Sequence, residues 1–468
     1  MFIATLFMFI NIVMKKLILF VLSLLLISCH QHPKQPKYIF YFIGDGMGIN
    51  QVLATEMFLA AKKGVVGIDT LSFSNFPTAT FSATYSRYNA VTCSAAAGTA
   101  LASGFKTKKG AIGVDSLLQN PLYSVAYYAK KIDKKVGIVT SVSIDHATPA
   151  AFYAHQPNRS MGYEIAIDLL CTNFDFFAGS GFSQLSKDDR PNIISLLKDS
   201  GYCVAYGYEQ FLEYKKDANK IVLLQQDSLL RLPYAIDRKR TDLSLQQMTT
   251  AAVDYLGNHK NGFFVMVEGG LIDWACHSND ASTTITEIED FSKCVDVALD
   301  FYKKYPDETL IVLTADHETG GIVLGTGEYC LDLALLQYQK CSVNELTRKI
   351  SECRDSLTWD ALKSLLGENL GFWEKYSLTT EEEYQLFALY NKTIAEHQHS
   401  TIQNLYSENE AIAQAAVEIL NKKAKIGWTS YGHSAGVVPV YAIGCGSESF
   451  MKVRDNVDIP RIMLQLLK

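Results

Sequence analysis

Residues 37–46 read Lys-Tyr-Ile-Phe-Tyr-Phe-Ile-Gly-Asp-Gly, a run of aromatic and β-branched side chains that stops at an aspartate between two glycines. An unbroken apolar run of this length is typical of a strand that is buried on both faces of a parallel sheet. In such sheets the functional side chains lie beyond the carboxyl ends of the strands. The segment therefore predicts a central strand that brings Asp45 to a functional site.

Four further apolar runs have the same form, and each lies next to a polar cluster. They are 136–140, which leads to Asp145 and His146; 263–267, before Glu268; 310–313, before Asp316 and His317; and 438–443, just after His433. Helical patterns lie between them, such as the apolar residues spaced by three or four over 285–302. Strands that alternate with helices predict a three-layer α/β/α sandwich around a large, mostly parallel sheet.

Residues 321–425 have a different composition, rich in Leu, Glu, Lys, Gln and Tyr, with helical stretches expected over 381–391 and 407–420. We expect this segment to be a largely helical insertion over or beside the active-site face. Ordinary crossover helices of the core are the alternative. The predicted catalytic core is then 37–320 together with 426–468.

Composition and charge narrow the class of protein. The 468-residue chain is 48 % hydrophobic and 20 % charged, which excludes a disordered or fibrous chain. Its 43 Lys and Arg and 49 Asp and Glu give a formal net charge of −6, and the sequence contains no basic tract. This argues against a protein that binds the nucleic-acid backbone. Small anionic substrates are compatible with an acidic chain if bound metal ions supply positive charge.

The N-terminal segment predicts export. Two lysines precede an apolar run over 17–27 that is too short to span a bilayer and has the form of a secretory signal. The run ends in Leu-Ile-Ser-Cys, which resembles a bacterial lipoprotein cleavage box. We expect a signal peptide over 1–28, a lipidated Cys29 and a tether over 29–36, so that the protein is a periplasmic or outer-membrane lipoprotein of a bacterium. A plain signal peptide or an N-terminal anchor helix is the alternative.

Several carboxylate and imidazole side chains are candidate metal ligands. His277 lies four residues after Asp273, a spacing that places both on one face of a helix. Asp316 and His317 are adjacent at a strand end, and His433 lies in a flexible Gly-His-Ser setting. Each has a structural alternative, because an aspartate after a strand often serves a turn or a helix cap and many such pairs are merely exposed.

Ser94 lies in Val-Thr-Cys-Ser-Ala-Ala-Ala-Gly-Thr-Ala at 91–100, whose small residues predict a tightly packed helix that starts near the serine. A serine there is either an N-cap or a nucleophile whose phosphorylated form the helix N-terminus would stabilise. No Gly-x-Ser-x-Gly motif surrounds it, which disfavours an α/β-hydrolase triad. The Gly-Phe-Lys-Thr at 104–107 lacks the spacing of a Walker loop.

Together, seven motifs resemble those of the alkaline phosphatase family in both sequence and order. They are 44–48 (Gly-Asp-Gly-Met-Gly), 91–100 around Ser94, 104–115, 147–151 (Ala-Thr-Pro-Ala-Ala), 267–273 followed by His277, 314–317 (Thr-Ala-Asp-His) and 432–433 (Gly-His). The resemblance covers most of 37–320 and 426–445.

The resemblance implies hydrolysis of small phosphate monoesters with two zinc ions and one magnesium ion. One zinc would be held by Asp273, His277 and His433, the second by Asp45, Asp316, His317 and Ser94, and the magnesium by Asp45, Thr148 and Glu268. Arg159 stands where the family's phosphate-binding arginine is expected. Ser94 would form a phosphoserine intermediate, and the family's members are commonly homodimers.

Three residues depart from the family's pattern. Cys93 stands where many members carry an aspartate beside the serine, and His146 and Trp274 occupy positions that are Asp and Lys in the best-known bacterial members. We therefore expect a looser Arg159 and a third metal site that accepts zinc or cobalt more readily. Cys93 is expected to be a small buried side chain, with a reactive thiol as the alternative.

Two other functions are weighed against a monoesterase. A phosphodiesterase, sulfatase or phosphonate hydrolase of the same superfamily would share the two-metal core but generally lacks the third site, so Thr148 and Glu268 favour the monoesterase. A non-catalytic surface lipoprotein with a degenerate phosphatase fold is the second alternative. The intact set of candidate ligands together with Ser94 argues against it.

Overall fold

The computed structural model describes residues 13–16, 35–327, 329–398 and 400–468. The predicted signal peptide lies almost wholly outside the described residues, and so do Cys29 and most of the predicted tether. Among the described residues, no helix has both the length and the apolar character needed to cross a membrane.

One large sheet organises the described part of the chain. In chain order the strands are β1 (Tyr38–Ile43), β2 (Thr78–Ser82), β3 (Lys135–Thr140), β4 (Phe176–Gly179), β5 (Cys203–Tyr206), β6 (Ile221–Leu224), β7 (Phe263–Glu268), β8 (Thr309–Thr314), β9 (Glu318–Thr319), β10 (Val323–Leu324), β11 (Thr401–Gln403), β12 (Glu408–Glu410), β13 (Ile426–Gly427), β14 (His433–Ser434) and β15 (Val438–Gly444). Nine of these described strands form the sheet, in the order β2-β15-β8-β1-β7-β3-β4-β6-β5. β15 runs in the opposite direction to the other eight strands of this sheet. The five strands expected from the sequence are confirmed as β1, β3, β7, β8 and β15, each boundary within one residue.

Helices lie on both faces of the sheet, which confirms the three-layer sandwich. They are α1 (Ile49–Lys62), α2 (Ser94–Ser103), α3 (Val125–Lys131), α4 (Ala147–Ala150), α5 (Gly162–Cys171), α6 (Ile193–Asp199), α7 (Gly207–Tyr214), α8 (Leu245–Leu256), α9 (Leu271–His277), α10 (Ala281–Tyr302), α11 (Val343–Cys353), α12 (Trp359–Leu370), α13 (Thr380–Tyr390), α14 (Ala411–Lys423) and α15 (Asp458–Leu466). Side chains of β1 alternate between the two faces, as the pleat of a strand requires. Ile39 and Tyr41 pack with α2, α3 and α15, whereas Phe40 and Phe42 pack with α8 and α10.

The segment 321–425 carries helices α11 to α14 and forms a hydrophobic cluster of its own, which also takes in Phe58 of α1 and Ile285 of α10. Its division from the core as an insertion stays a prediction. The helix expected over 407–420 is wrong at its start. It begins at Ala411, because Glu408–Glu410 pair with Thr401–Gln403 as an antiparallel hairpin.

The register of the central strands positions the site. Ile43, the last residue of β1, lies opposite Glu268 in β7 and opposite Thr314 in β8. Thr140, the last residue of β3, also lies opposite Glu268. The carboxyl ends of four neighbouring parallel strands are therefore level, and the loops that follow them open at one edge.

Candidate metal centre

The level strand ends deliver three carboxylates to one place. Asp45 follows β1 by two residues, Glu268 ends β7, and Asp316 follows β8 by two residues; all three are fully buried. A fourth, Asp273, comes from helix α9 just after β7. Gly46 makes their approach possible, because its φ is +73° and a Cβ there would lie 2.8 Å from the Asp273 Cα.

The first group of candidate ligands surrounds His317. Its Nε2 lies 3.4 Å from Asp45 Oδ1, 3.2 Å from Asp316 Oδ2 and 3.2 Å from the Ser94 Oγ. The Gly46 amide donates to Asp316 Oδ1 at 3.2 Å and orients that carboxylate. The structure therefore brings together the four residues expected for one zinc site, and the ligand atoms of the two aspartates and His317 lie within 4.8 Å of one another.

The second group surrounds Asp273. His277 Nε2 lies 3.4 Å from Asp273 Oδ2 and 3.2 Å from His433 Nε2, and His433 Nε2 lies 3.8 Å from Asp273 Oδ1. The Nδ1 atoms of His277 and His433 face the backbone carbonyls of Tyr431 and Thr92, which leaves each Nε2 aimed into the site. His317 also adjoins this group, since its ring centroid lies 3.6 Å from that of His433.

A third group adjoins the first through Asp45. The Thr148 hydroxyl donates to Asp45 Oδ2 at 3.4 Å, and the hydroxyl of Thr140 donates to Glu268. His146 Nδ1 lies 4.0 Å from Glu268 Oε1, and ligand atoms of Asp45, His146 and Glu268 lie within 4.8 Å of one another. The three residues expected for magnesium thus lie near one another, with His146 as an additional nitrogen donor.

The pKa values of these carboxylates reflect their burial and the charged groups around them. Burial and the charges of Asp316, Asp273 and Glu268 raise the pKa of Asp45 well above its usual range. Burial likewise raises the pKa of Glu268 to about 7 and of Asp316 to about 8. Asp273 differs: burial opposes its ionisation, yet the neighbouring His277, His433 and His317 hold its pKa below the usual range.

The donor set fits divalent cations. Asp45 Oδ1, Glu268 Oε1, Asp273 Oδ2, Asp316 Oδ2 and His146 Nδ1 are buried without a hydrogen-bond partner among the described residues. Buried polar atoms normally have a partner, and the five residues belong to groups whose ligand atoms lie within 4.8 Å of one another. Imidazole with carboxylate suits zinc, and an oxygen-rich set suits magnesium. Metal ions bound here would supply both the missing partners and the missing positive charge.

Ser94 is the first residue of α2, and the N-cap position belongs to Cys93. Ser94 is fully buried, and its side chain makes no capping hydrogen bond. Its hydroxyl instead faces His317, so the N-cap alternative is wrong. Cys93 is 6 % exposed, and its Sγ accepts from the Gly110 amide at 3.2 Å, which is the contact of a buried structural side chain.

Arg159 is held from two sides. Its Nη2 donates to His146 Nε2 at 2.9 Å and to the Tyr406 hydroxyl at 3.3 Å. Burial and the Arg159 charge lower the pKa of His146 to about 3, so its ring is neutral. A neutral imidazole has one acceptor nitrogen. His146 therefore cannot accept from Arg159 at Nε2 and offer a lone pair at Nδ1 at the same time.

Tyr406 is the site residue that the sequence did not reveal. It lies in the turn of the β11–β12 hairpin, and its ring stacks on Trp274 with centroids 4.2 Å apart and planes 4° apart. The ring also meets His277 edge-on at 5.3 Å. Asn404 shapes the turn, because its Oδ1 accepts from the amides of Tyr406 and Ser407 and its Nδ2 donates to Ser278 Oγ at 3.1 Å.

Comparison with known proteins identifies the family of this chain. The family model described as alkaline phosphatase matches residues 36–173 and 183–468. The chain belongs to the alkaline phosphatase family. Alkaline phosphatase 4 of Bacillus subtilis (strain 168) is 34 % identical over 388 residues, which are 81 % of this chain and 77 % of that protein. As a member of this metal-dependent family, the protein is a phosphatase.

Solved structures agree in fold. The cold-active alkaline phosphatase from the psychrophile Shewanella sp. has a TM-score of 0.79 at 29 % identity, covering 92 % of this chain and 100 % of that one. A histidine-to-aspartate variant of the alkaline phosphatase from the Antarctic bacterium TAB5, with Mg bound in a site called M3, has a TM-score of 0.65 at 26 % identity, covering 93 % of this chain and 99 % of that one.

Tyr406 makes two contacts that can be separated by substitution: its hydroxyl accepts from Arg159, and its ring stacks on Trp274. We expect Tyr406→Phe to raise KM for a phosphate monoester by about two- to fivefold with little change in kcat, since one hydrogen bond to a charged group is lost. Tyr406→Ala, which also removes the face stacked on Trp274, should raise KM further. Steady-state kinetics measure both.

Tyr384→Phe is the matched control, because Tyr384 is 70 % exposed on α13. It should behave as the unchanged enzyme. Unchanged KM values in both Tyr406 variants would show that Tyr406 does not position Arg159.

Proposed function

We propose that this enzyme hydrolyses phosphate monoesters to an alcohol and inorganic phosphate through a phosphoserine on Ser94, with two zinc ions and one magnesium ion. The single observation that carries the proposal is the place of the Ser94 hydroxyl. It lies 3.2 Å from His317 Nε2, beside the fully buried Asp45 and Asp316, at the first turn of a ten-residue helix. A hydroxyl in such surroundings is suited to attack an anion held by cations.

The chain's own residues account for binding and attack. The Ser94 Oγ forms a bond to phosphorus, the bond from phosphorus to the alcohol oxygen breaks, and the alcohol leaves with a proton. The N-terminus of α2 directs backbone N–H groups at the phosphate carried by Ser94. Arg159 offers a planar fork that can bind two non-bridging phosphate oxygens. Water then hydrolyses the phosphoserine, which returns the serine hydroxyl and releases phosphate.

The donor sets support this choice of cations. Zinc would be held by Asp273, His277 and His433 and by Asp45, Asp316, His317 and Ser94; magnesium would be held by Asp45, Thr148 and Glu268. When bound, divalent ions stabilise charge on the entering and leaving oxygens of an in-line displacement. The ring of His317 lies against that of His433, so His317 would adjoin both zinc sites.

His146 supports a third site that accepts zinc or cobalt. Its Nδ1 has no hydrogen-bond partner among the described residues and could ligate a metal in a group whose other ligand atoms are oxygens. Imidazole binds zinc and cobalt in preference to magnesium. Holding a cation at Nδ1 would leave Nε2 protonated, so that Arg159 would lose its acceptor there and be free to turn to phosphate. The TAB5 variant with aspartate for a histidine was solved with Mg bound in its M3 site.

A phosphodiesterase or sulfatase activity is the second candidate. The groups around Asp45 and Asp273 would serve either reaction. The placement of Thr148 and Glu268 beside Asp45 supports the monoesterase, because the related hydrolases generally lack the third site.

Replacing the nucleophile tests the reaction. With a chromogenic phosphate monoester, we expect Ser94→Ala to lower kcat/KM by about a thousandfold or more, while metal content stays as in the unchanged enzyme. EDTA should abolish activity, and zinc with magnesium should restore it. A phosphate diester and a sulfate ester assayed in parallel should be far poorer substrates.

Ser364→Ala is the control, because Ser364 is exposed on α12 and bonds only its own helix. Monoesterase activity that survives both Ser94→Ala and EDTA would contradict the proposal. Faster turnover of the diester or the sulfate ester would support the second candidate instead.

The third site is tested by metal content. After loading of the metal-free enzyme with zinc, cobalt and magnesium together, we expect mass spectrometry of the bound metals to find zinc or cobalt in place of magnesium. His146→Asp removes the nitrogen donor and supplies a carboxylate, so it should bind one magnesium ion per chain. His397→Asp, an exposed change on the insertion, should match the unchanged enzyme. Magnesium in the third site of the unchanged enzyme would contradict this assignment.

We also propose that the enzyme is an exported lipoprotein, lipidated at Cys29 and active as a homodimer in the periplasm or at the outer membrane. The apolar run before Cys29 supports the anchor, and the family's usual assembly supports the dimer. Growth in a bacterial host with labelled palmitate should label the full chain and not Cys29→Ala. Equal labelling of both, or of neither, would contradict the anchor.

A further inference from the structure

A groove of about 880 Å³ opens beside the metal centre and is not used by the chemistry described above. Trp274 and Tyr406, the stacked pair, line it on the side of the site. Trp274 directly follows Asp273, and the Tyr406 hydroxyl is 3.3 Å from Arg159 Nη2. A substrate whose phosphate is bound by Arg159 can therefore extend its alcohol part along this pair into the groove.

Arg231 lines the groove and makes no ion pair within the described part of the chain. Its guanidinium carbon lies 4.3 Å from the ring centroid of Tyr234 and 5.9 Å from that of Trp274. One N–H donates to its neighbour's carbonyl, Leu232 O, at 3.1 Å. No carboxylate among the described residues lies within ion-pair distance of Arg231, whereas Arg238 is paired with Asp290 at 2.8 Å. The rings of Tyr234 and Trp274 hold the guanidinium in place and leave its remaining donors to a ligand.

The carboxylates that line the groove accept hydrogen bonds from residues other than Arg231. Glu345 pairs with Arg348 through both carboxylate oxygens, at 2.6 and 2.7 Å. Asp237 accepts from the amide and the hydroxyl of Ser342, and Asp242 accepts from the Lys239 amide. None of these bonds uses Arg231, so its guanidinium stays available to a ligand beside Trp274.

We propose that this groove is a subsite for the leaving group, which favours phosphate monoesters whose alcohol part carries a second anionic group, a carboxylate or a phosphate, bound by Arg231. The inference rests on the proposed monoesterase function and adds a substrate class to it. The apolar faces of Trp274 and Tyr406 contact the body of the alcohol, and the guanidinium of Arg231 donates to the oxyanion at its far end.

The test compares matched substrates. The first pair is 4-(2-carboxyethyl)phenyl phosphate and its carboxamide, and the second is 1,4-phenylene bisphosphate and phenyl phosphate. For each pair, the ratio of kcat/KM for the anionic member over the neutral member reports the subsite. We expect Arg231→Gln to lower this ratio by about three- to tenfold and Arg231→Lys to lower it less. Added NaCl should lower the ratio of the unchanged enzyme. The two pairs show whether carboxylate, phosphate or both are accepted.

Arg240→Gln is the matched control, because it removes the same charge from an exposed residue of the same segment that does not line the groove. Its ratios should equal those of the unchanged enzyme. Equal ratios in Arg231→Gln and the unchanged enzyme for both pairs would overturn the subsite, as would an equal drop in Arg240→Gln. Failure of the unchanged enzyme to hydrolyse any of the four esters would instead refute the proposed monoesterase function, and the subsite with it.

Discussion

Repulsion among four buried carboxylates is the constraint on which the site depends. Asp45, Glu268, Asp273 and Asp316 are fully buried within one cluster, and an uncompensated charge in the interior costs several kcal/mol. Burial, and after it the charges of the neighbouring carboxylates, raises the pKa of Asp45, Glu268 and Asp316. Such a cluster is stable in its ionised form only with cations between the carboxylates. The sheet order, the level strand ends and the glycine at position 46 all serve to hold charges together that would otherwise separate.

The central fold was predictable because its strands are buried on both faces. The sequences of β1, β7 and β8 are unbroken apolar runs, which are typical of strands in the middle of a parallel sheet. Strands β4, β5 and β6 have only four residues each, too few to show a pattern. The hairpin at 401–410 was missed for a different reason. The side chain of Asn404 bonds the backbone amides of residues 406 and 407, and a local bond of this kind outweighs the helical character of the residues that follow.

The candidate ligands could be named from the sequence, whereas their neighbourhoods could not. Strand ends and the i, i+4 spacing of Asp273 and His277 place donor groups at one edge, but spacing along the chain does not say which imidazole faces which carboxylate. His317 lies against both groups of candidate ligands, and His146 contacts Arg159 and approaches Glu268. Tyr406 is separated from Arg159 by 247 positions in the chain, so only the fold could show their contact.

The strand ends and the hairpin that carries Tyr406 differ in how readily they can accept substitutions. The strand ends hold the donor groups so tightly that an added methyl group at Gly46 would meet the backbone of Asp273. The turn at 404–407 packs against the site from outside, through side-chain hydrogen bonds to Ser278 and Arg159 and the stacking of Tyr406 on Trp274. Substitutions or changes of length in that turn would therefore alter the proposed leaving-group subsite while the donor groups at the strand ends stay in place.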